Sequence, residues 1–451
     1  MPGLSRPGPL ARRPRVGREL TPCVVRPGFG SRSSRRASSS PVCPSPGPGF
    51  YQRGTIYFDW SGSRYADGVV FNQVSARFKF DLIRPAGQGW TLSIDARDRL
   101  GIREDLTNQL ILYSARLTYD KPGSMFYLSV GQMNLYDTAG IGSLLGGVAG
   151  LKLGRDFLVG AFGGLQSTPY IARLETNYLK AGAFVRWLGT QGRTAGLTFS
   201  QLWYDGGVER RFAYANVFLP VRKTLVVYGD AEYELGDHVA GENRLSRLFG
   251  NVRLDLGRMA DVTASYSSGK GLDFHQYLLE ASQDPTVFNQ DVERFYYSSY
   301  YGVRLSVKPV RTLRLSVARQ ESEQKDLGYV NHTWRFGASA SNLFGQGLSF
   351  VANYALNRGD LSENDSYYAS LTKDFGRFSL NASFSNTFKG IRFDQASGEP
   401  VPIALDDYRN VTLGTLVRIS RGLSAQVEYG GFLQSGNDEH FLFVRLIYRS
   451  R

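Results

Sequence analysis

Charged side chains recur at every second position of otherwise apolar stretches in this chain. The cations are Arg77, Arg116, Lys180, Arg186, Arg247, Arg253, Arg304 and Arg335, and the anions are Asp230, Glu232, Asp255 and Asp261. Two kinds of chemistry are open to such a set. Rings of guanidinium groups around a water-filled space select anions. Neighbours of opposite sign instead neutralise one another and leave a polar but indifferent surface. Residue types alone leave both readings open.

Groups that could catalyse are sparse. The four histidines are His238, His275, His332 and His440. None has a Ser or Asp at a spacing that suggests a triad, and neither an H-E-x-x-H pattern nor a His/Cys cluster occurs. Both cysteines, Cys23 and Cys43, lie in the first fifty residues, and no C-x-x-C-H run exists for covalent haem attachment. No catalytic residue, metal or cofactor is assigned, and the chain is not expected to be an enzyme. A cysteine-free remainder suits a protein that crosses an oxidising compartment unfolded.

The elements that must hold the charged residues are strands, because side chains of an extended chain alternate between two faces. In Gln109–Asp120, Ile111, Tyr113, Ala115, Leu117 and Tyr119 fall on one face and Leu110, Leu112, Ser114, Arg116, Thr118 and Asp120 on the other. Arg247–Leu256 sets Leu248, Gly250, Val252, Leu254 and Leu256 against Arg247, Phe249, Asn251, Arg253 and Asp255. Phe378–Phe384 sets Phe378, Leu380, Ala382 and Phe384 against Ser379, Asn381 and Ser383. Similar ladders recur at 177–188, 224–235, 260–267, 295–308, 334–341, 348–357, 411–419 and 423–430. One face meets an apolar medium and the other a polar one throughout.

Connections between ladders fall into two classes that alternate. Short, turn-rich ones include Pro85-Ala86-Gly87, Asp120-Lys121-Pro122-Gly123, Leu256-Gly257-Arg258 and Phe375-Gly376. Longer, charged ones include 104–108, 237–243, 269–294, 321–327, 359–364, 389–407 and 435–439. Short turns on one rim and long loops on the other are the habit of transmembrane barrels. The predicted fold is all-β: an antiparallel up-and-down transmembrane barrel of about 22 strands, range 20–24, with both ends of the strand region on the short-turn rim. A soluble propeller or solenoid is disfavoured, since one face stays polar strand after strand and no 40–50-residue repeat is seen. Bulk measures hide such a fold. Hydropathy averages −0.26, because every second residue is polar, and no apolar run reaches the ~18 residues of a transmembrane helix. The 26 Tyr, 28 Phe and 51 Gly suit many short strands and tight turns.

Residues 1–52 differ in kind from 53–451. They are rich in Arg, Pro, Ser and Gly and hold nine Arg against one acid, Glu19. Much of the net charge of +13 therefore sits there, and no basic stripe is left for nucleic acid. With neither periodicity nor the 7–15-residue apolar region of a signal peptide, the segment reads as a wrongly placed start or a fragment's edge. A disordered basic tail is the alternative.

The run Glu439–Tyr448 resembles the C-terminal assembly signal of bacterial outer-membrane proteins. Leu442, Val444, Leu446 and Tyr448 place apolar residues at every second position before a final aromatic, although Arg449-Ser450-Arg451 follow where such signals end. The resemblance covers the strand region as a class of architecture. It implies a Gram-negative outer membrane as the location, with lipid, lipopolysaccharide and the barrel assembly machinery as partners.

Porin-like passage of hydrophilic solutes, with mild anion preference, is the leading expectation. A sheath around a partner protein, such as an electron-carrying cytochrome or an export scaffold, is the rival, and a structural or adhesive surface barrel is a third. About 22 strands enclose a lumen that transporters of that size fill with a plug. Here loops at 269–294 and 389–407, a partner, or nothing would fill it. The stretch Thr138–Gly150, with Gly140, Gly142, Gly146 and Gly147, either folds inward as a constriction or relieves crowding in a tightly curved wall.

Overall fold

The computed structural model describes residues 51–450 except 66–67, 69, 84–88, 102–108, 136–141, 168–173, 236–244, 271–296, 325–327, 361, 394–399, 403–407 and 434–437. The readings made for 1–50, for Gly140, and for His238 and His275 lie outside the described residues. No helix among the described residues is long and apolar enough to cross a membrane.

The first eight are β1 (Tyr51–Arg64), β2 (Val70–Ile83), β3 (Trp90–Gly101), β4 (Gln109–Tyr119), β5 (Phe126–Asn134), β6 (Ser143–Leu153), β7 (Phe157–Ser167) and β8 (Leu174–Leu188). There follow β9 (Thr194–Tyr204), β10 (Gly207–Arg222), β11 (Leu225–Glu234), β12 (Leu245–Leu256), β13 (Ala260–Lys270), β14 (Tyr297–Val310), β15 (Leu313–Gln324) and β16 (Tyr329–Leu343). The last are β17 (Leu348–Gly359), β18 (Ser362–Asp374), β19 (Phe378–Phe393), β20 (Pro400–Pro402), β21 (Tyr408–Arg418), β22 (Leu423–Leu433) and β23 (Glu439–Ser450).

Each wall strand pairs antiparallel with the next, and β1 closes the ring on β23 from Gly54↔Ser450 to Arg64↔His440. The three-residue β20 pairs only with the tip of β19, while β19 pairs with β21. Twenty-two strands therefore form the closed wall, within the predicted range. Closure removes every sheet edge, which lipid would otherwise leave without hydrogen-bond partners.

The outer face is apolar. Phe58, Phe78, Leu117, Leu179, Val252, Leu254, Val303, Leu371, Leu413 and Leu446 are exposed there, one strand after another. Aromatic residues gather at the short-turn rim: Trp90 packs on Tyr119 with centroids 5.0 Å apart, and Phe375 on Phe378 at 4.4 Å. Such girdles mark the membrane interface of barrels. Turn chemistry matches its sequence. At Lys121–Ser124, Pro122 precedes Gly123 at φ 81°, and the Ser124 N–H donates to the Lys121 carbonyl at 3.1 Å. A positive φ after Pro is the demand of a type II turn, and glycine meets it without strain.

Three expectations are corrected. The facing assigned to Gln109–Asp120 holds only for its second half. A bulge in β4 sets Asp95 opposite Ser114 but Ala96 opposite Leu112, so Tyr113 turns inward under Arg77, 4.7 Å from its ring centroid. Leu110, 77% exposed, is outward instead of Ile111. An extra residue shifts the period by one and exchanges the faces. Secondly, 321–324, 359, 362–364 and 389–393, read as loop, are strand. Polar residues do not end a ladder that runs past the membrane into water. Thirdly, Tyr51 and Gln52 begin β1 and belong to the wall.

Gly146 and Gly147 also lie in the wall, within β6, so the described part of that stretch is no inward loop. Crowding explains Gly146, where a Cβ would stand 2.1 Å from the Gly163 carbonyl oxygen and 2.6 Å from Gly164 Cα, but not Gly147, where a Cβ would meet nothing nearer than 3.9 Å. The neighbouring inner face is unexpectedly apolar. Met133, Leu144, Val148, Leu158, Phe162 and Phe184 form a buried cluster. The Phe162 ring covers Gly182 and the Phe184 ring covers Gly160, where added Cβ atoms would sit 2.6 and 2.8 Å from them.

The fold predicts a heat-modifiable protein that is nearly all β. Circular dichroism in detergent showing more than about a third helix, the share found in average soluble domains, would exclude this barrel.

Candidate functional site: the lumen face

The inner face is where residues of different strands meet, and antiparallel register decides who meets whom. On the first strands, Asp59 of β1 is a hub. Arg445 grips it from β23 with Nε and Nη2 donating at 2.7 and 3.1 Å, Arg97 approaches to 3.6 Å, and the Ser75 hydroxyl donates at 3.5 Å. Arg77 lies next to this hub and donates twice to Asp95, both at 2.8 Å.

A second network occupies β10–β12. Arg210 bonds both Glu232 and Glu234, and Ser246 donates to Glu232 at 2.9 Å. Arg247 pairs with Asp230 at 2.8 Å. Lys180 is buried nearby, 5.7 Å from the Phe212 ring centroid. Lower on the wall, Arg253 donates to Asp255 at 3.0 Å, and Arg314 holds Asp261 at 2.6 and 2.8 Å.

The structure thus separates the cations picked from sequence. Arg77, Arg247 and Arg253 have carboxylate partners, so the reading of mutual pairing applies to them rather than a free anion-selecting ring. Arg116 and Arg186 sit near Tyr127 and Asp120 toward the short-turn rim. Arg304 and Arg335 are exposed, and among the described residues no carboxylate lies within ion-pair distance of either. Sequence reasoning missed Asp59, Arg97, Arg210, Glu234, Arg314 and Arg445. Each lies at the inward parity of its strand, but only register shows which partner it faces.

The remaining named positions also have a place. Leu442, Leu446 and Tyr448 are exposed on the outer face of β23, with Val444 on the same parity. His332 lies 3.1 Å from Glu321 and His440 2.9 Å from the Tyr429 hydroxyl, both near strand ends.

No protein family matches the sequence, and no curated protein resembles it. Solved structures do resemble the fold. A mutant of the ferric enterobactin receptor PfeA of Pseudomonas aeruginosa aligns with TM-score 0.53 at 10% identity, over 89% of this chain and 81% of that one. OccK3 (OpdO) of the same organism aligns with TM-score 0.42 at 12% identity over 88% and 95%. OpdK, solved with vanillate, aligns with TM-score 0.40 at 11% identity over 89% and 100%. At these identities the likeness is one of fold, and the receptor carries it. In fold the chain is similar to outer-membrane β-barrels: a closed antiparallel wall of twenty-two strands.

Proposed function

We propose that the protein is a channel of the bacterial outer membrane for hydrophilic solutes, with a mild preference for anions. The observation that carries this reading is a closed wall whose inner face is largely polar while its outer face is apolar, with Arg304 and Arg335 exposed on the inside. A low-dielectric wall strengthens the field of such charges within a pore. The preference is mild because most inward guanidinium groups already face carboxylates, as Arg247 does Asp230 and Arg253 does Asp255. Lipid and lipopolysaccharide surround the barrel in this reading, and the outward residues of β23 serve the assembly machinery.

The test is the reversal potential across a salt gradient in a planar bilayer. The wild type should favour anions weakly, and the preference should fade as the Debye length falls from ~10 Å at 0.1 M salt to ~3 Å at 1 M. Changing Arg304 and Arg335 to Ser should abolish it. Changing Arg247 and Arg253 to Ser should go further and turn the pore toward cations, because Asp230 and Asp255 lose their counter-charges. A cation-selective wild type would refute the reading. A correctly inserted protein with no conductance would instead favour the partner-filled sheath.

A further inference from the structure

Register brings Arg304 and Arg335 together. Both face Ala318 of β15, one from β14 and one from β16. Strands are spaced ~4.8 Å apart, so the two Cα atoms stand about 10 Å from each other, and two side chains of arginine length can converge on one anion between them. Their surroundings leave room: Ala318 lies between them, with Gly302 and Gly337 as the next inward residues on their own strands.

The wall beyond Arg335 changes character. From β17 to β21 the inward side chains between the rims are, among the described residues, uncharged and mostly hydroxyl or amide, and one cross-strand row runs Asn353↔Tyr368↔Ser385↔Asn410. Asn353 is exposed, and Tyr368 is 39% exposed on this inward face. Four strand spacings from Arg335 to Asn410 span about 19 Å, the length of a short oligosaccharide. Hydroxyls and amides can both donate and accept, as sugar hydroxyls require, and an exposed phenol ring offers an apolar face with a polar tip. The inner wall opposite in sequence, β5–β8, carries the buried apolar cluster and offers no such surface.

We infer that Arg304 and Arg335 bind the carboxylate of an acidic saccharide whose hydroxyls lie along the neutral row of Asn353, Tyr368, Ser385 and Asn410. The inference rests on the channel reading but is separable from it. A paired guanidinium site supplies charge-assisted, geometrically directed hydrogen bonds to a carboxylate, and the neutral row distinguishes a sugar acid from a simple one.

The experiment uses the full chain with glucuronate as probe, and acetate and glucose as comparisons. In a planar bilayer, glucuronate should interrupt the potassium chloride current at lower concentration than either. Changing Arg304 and Arg335 to Ser should raise its half-blocking concentration about tenfold or more. Changing Asn353 and Tyr368 to Ala should reduce glucuronate block toward that of acetate, with acetate itself unaffected. Calorimetric titration of glucuronate into the detergent-solubilised protein gives the second reading. Current without any glucuronate preference over acetate ends this inference and leaves the channel intact. Glucuronate binding lost in the arginine variant, in a protein that passes no current, keeps the site and ends the channel reading.

Discussion

Replacing Val252 by Arg is expected to destabilise the barrel by about 2–4 kcal/mol, while Asn251→Arg, one residue away, costs little. Both positions lie in β12 and share its backbone hydrogen bonds, so strand propensity cannot separate them. Facing does. Val252 is 42% exposed on the outer wall beside Val227 and Ala264, where lipid offers a guanidinium no partner. Asn251 sits on the inner wall between Tyr228 and Ser265 in the ladder, on the side where water and counter-charges are available. The magnitude depends on depth, and a site near the midplane gives the upper end of the range. Urea unfolding in lipid vesicles measures both. Equal losses for the two variants would mean that the faces of β12 are assigned wrongly, and with them the lumen.

That contrast is legible in the sequence alone, because period-two alternation is a local property. Arg247–Leu256 shows its facing in ten residues, and a wall built from such ladders follows once connections sort into short and long. What local alternation cannot show is anything set by register. Nothing near Asp261 in sequence points to Arg314, and nothing near Asp59 points to Arg445, 386 residues away. Pairing therefore had to stay an open alternative to anion selection until the ladder was known. The bulge at Tyr113 defeats periodicity for a related reason: the extra residue interrupts one strand only, and Leu110-Ile111-Leu112-Tyr113 is apolar at both parities. The inward cluster of Val148, Phe162 and Phe184 contradicts the rule that lumen positions are polar. Its signal was the density of glycine in 142–164, which marks close backbone approach and rings lying over bare glycines. Sequence allows these glycines to be either a constriction or a relief of crowding in a curved wall; the second describes Gly146, while Gly147 lies in the wall without being crowded.

Asp59→Ala is expected to weaken closure of the barrel by about 2–3 kcal/mol, between the value of an exposed ion pair and that of a buried one. Every other neighbouring pair of wall strands is joined by a connection far shorter than the chain, so its loop-closure cost is modest. The β1–β23 seam joins the two ends of the wall, and its pairing closes the largest loop. Asp59 and Arg445 are directly opposite in that seam. Arg445 is further held by the Tyr57 and Phe443 rings, 5.5 and 4.9 Å from its guanidinium carbon. Removing the carboxylate leaves Arg445 and Arg97 facing each other without a counter-charge on a wall where Asp59 had only 6% exposure. Arg53→Ala is the control. It breaks an ion pair between β1 and β2 at 2.6 Å, but its side chain is 60% exposed, and the loss should stay within about 1 kcal/mol. Arg445→Ala in the Asp59→Ala background should add little, since the pair acts as a unit. The temperature at which the compact form disappears on a semi-native gel ranks the variants, and urea unfolding in vesicles supplies the free energies. If Asp59→Ala unfolds with the wild type while Arg53→Ala unfolds earlier, the hub at Asp59 is screened by lumen water and the seam is held by backbone pairing alone.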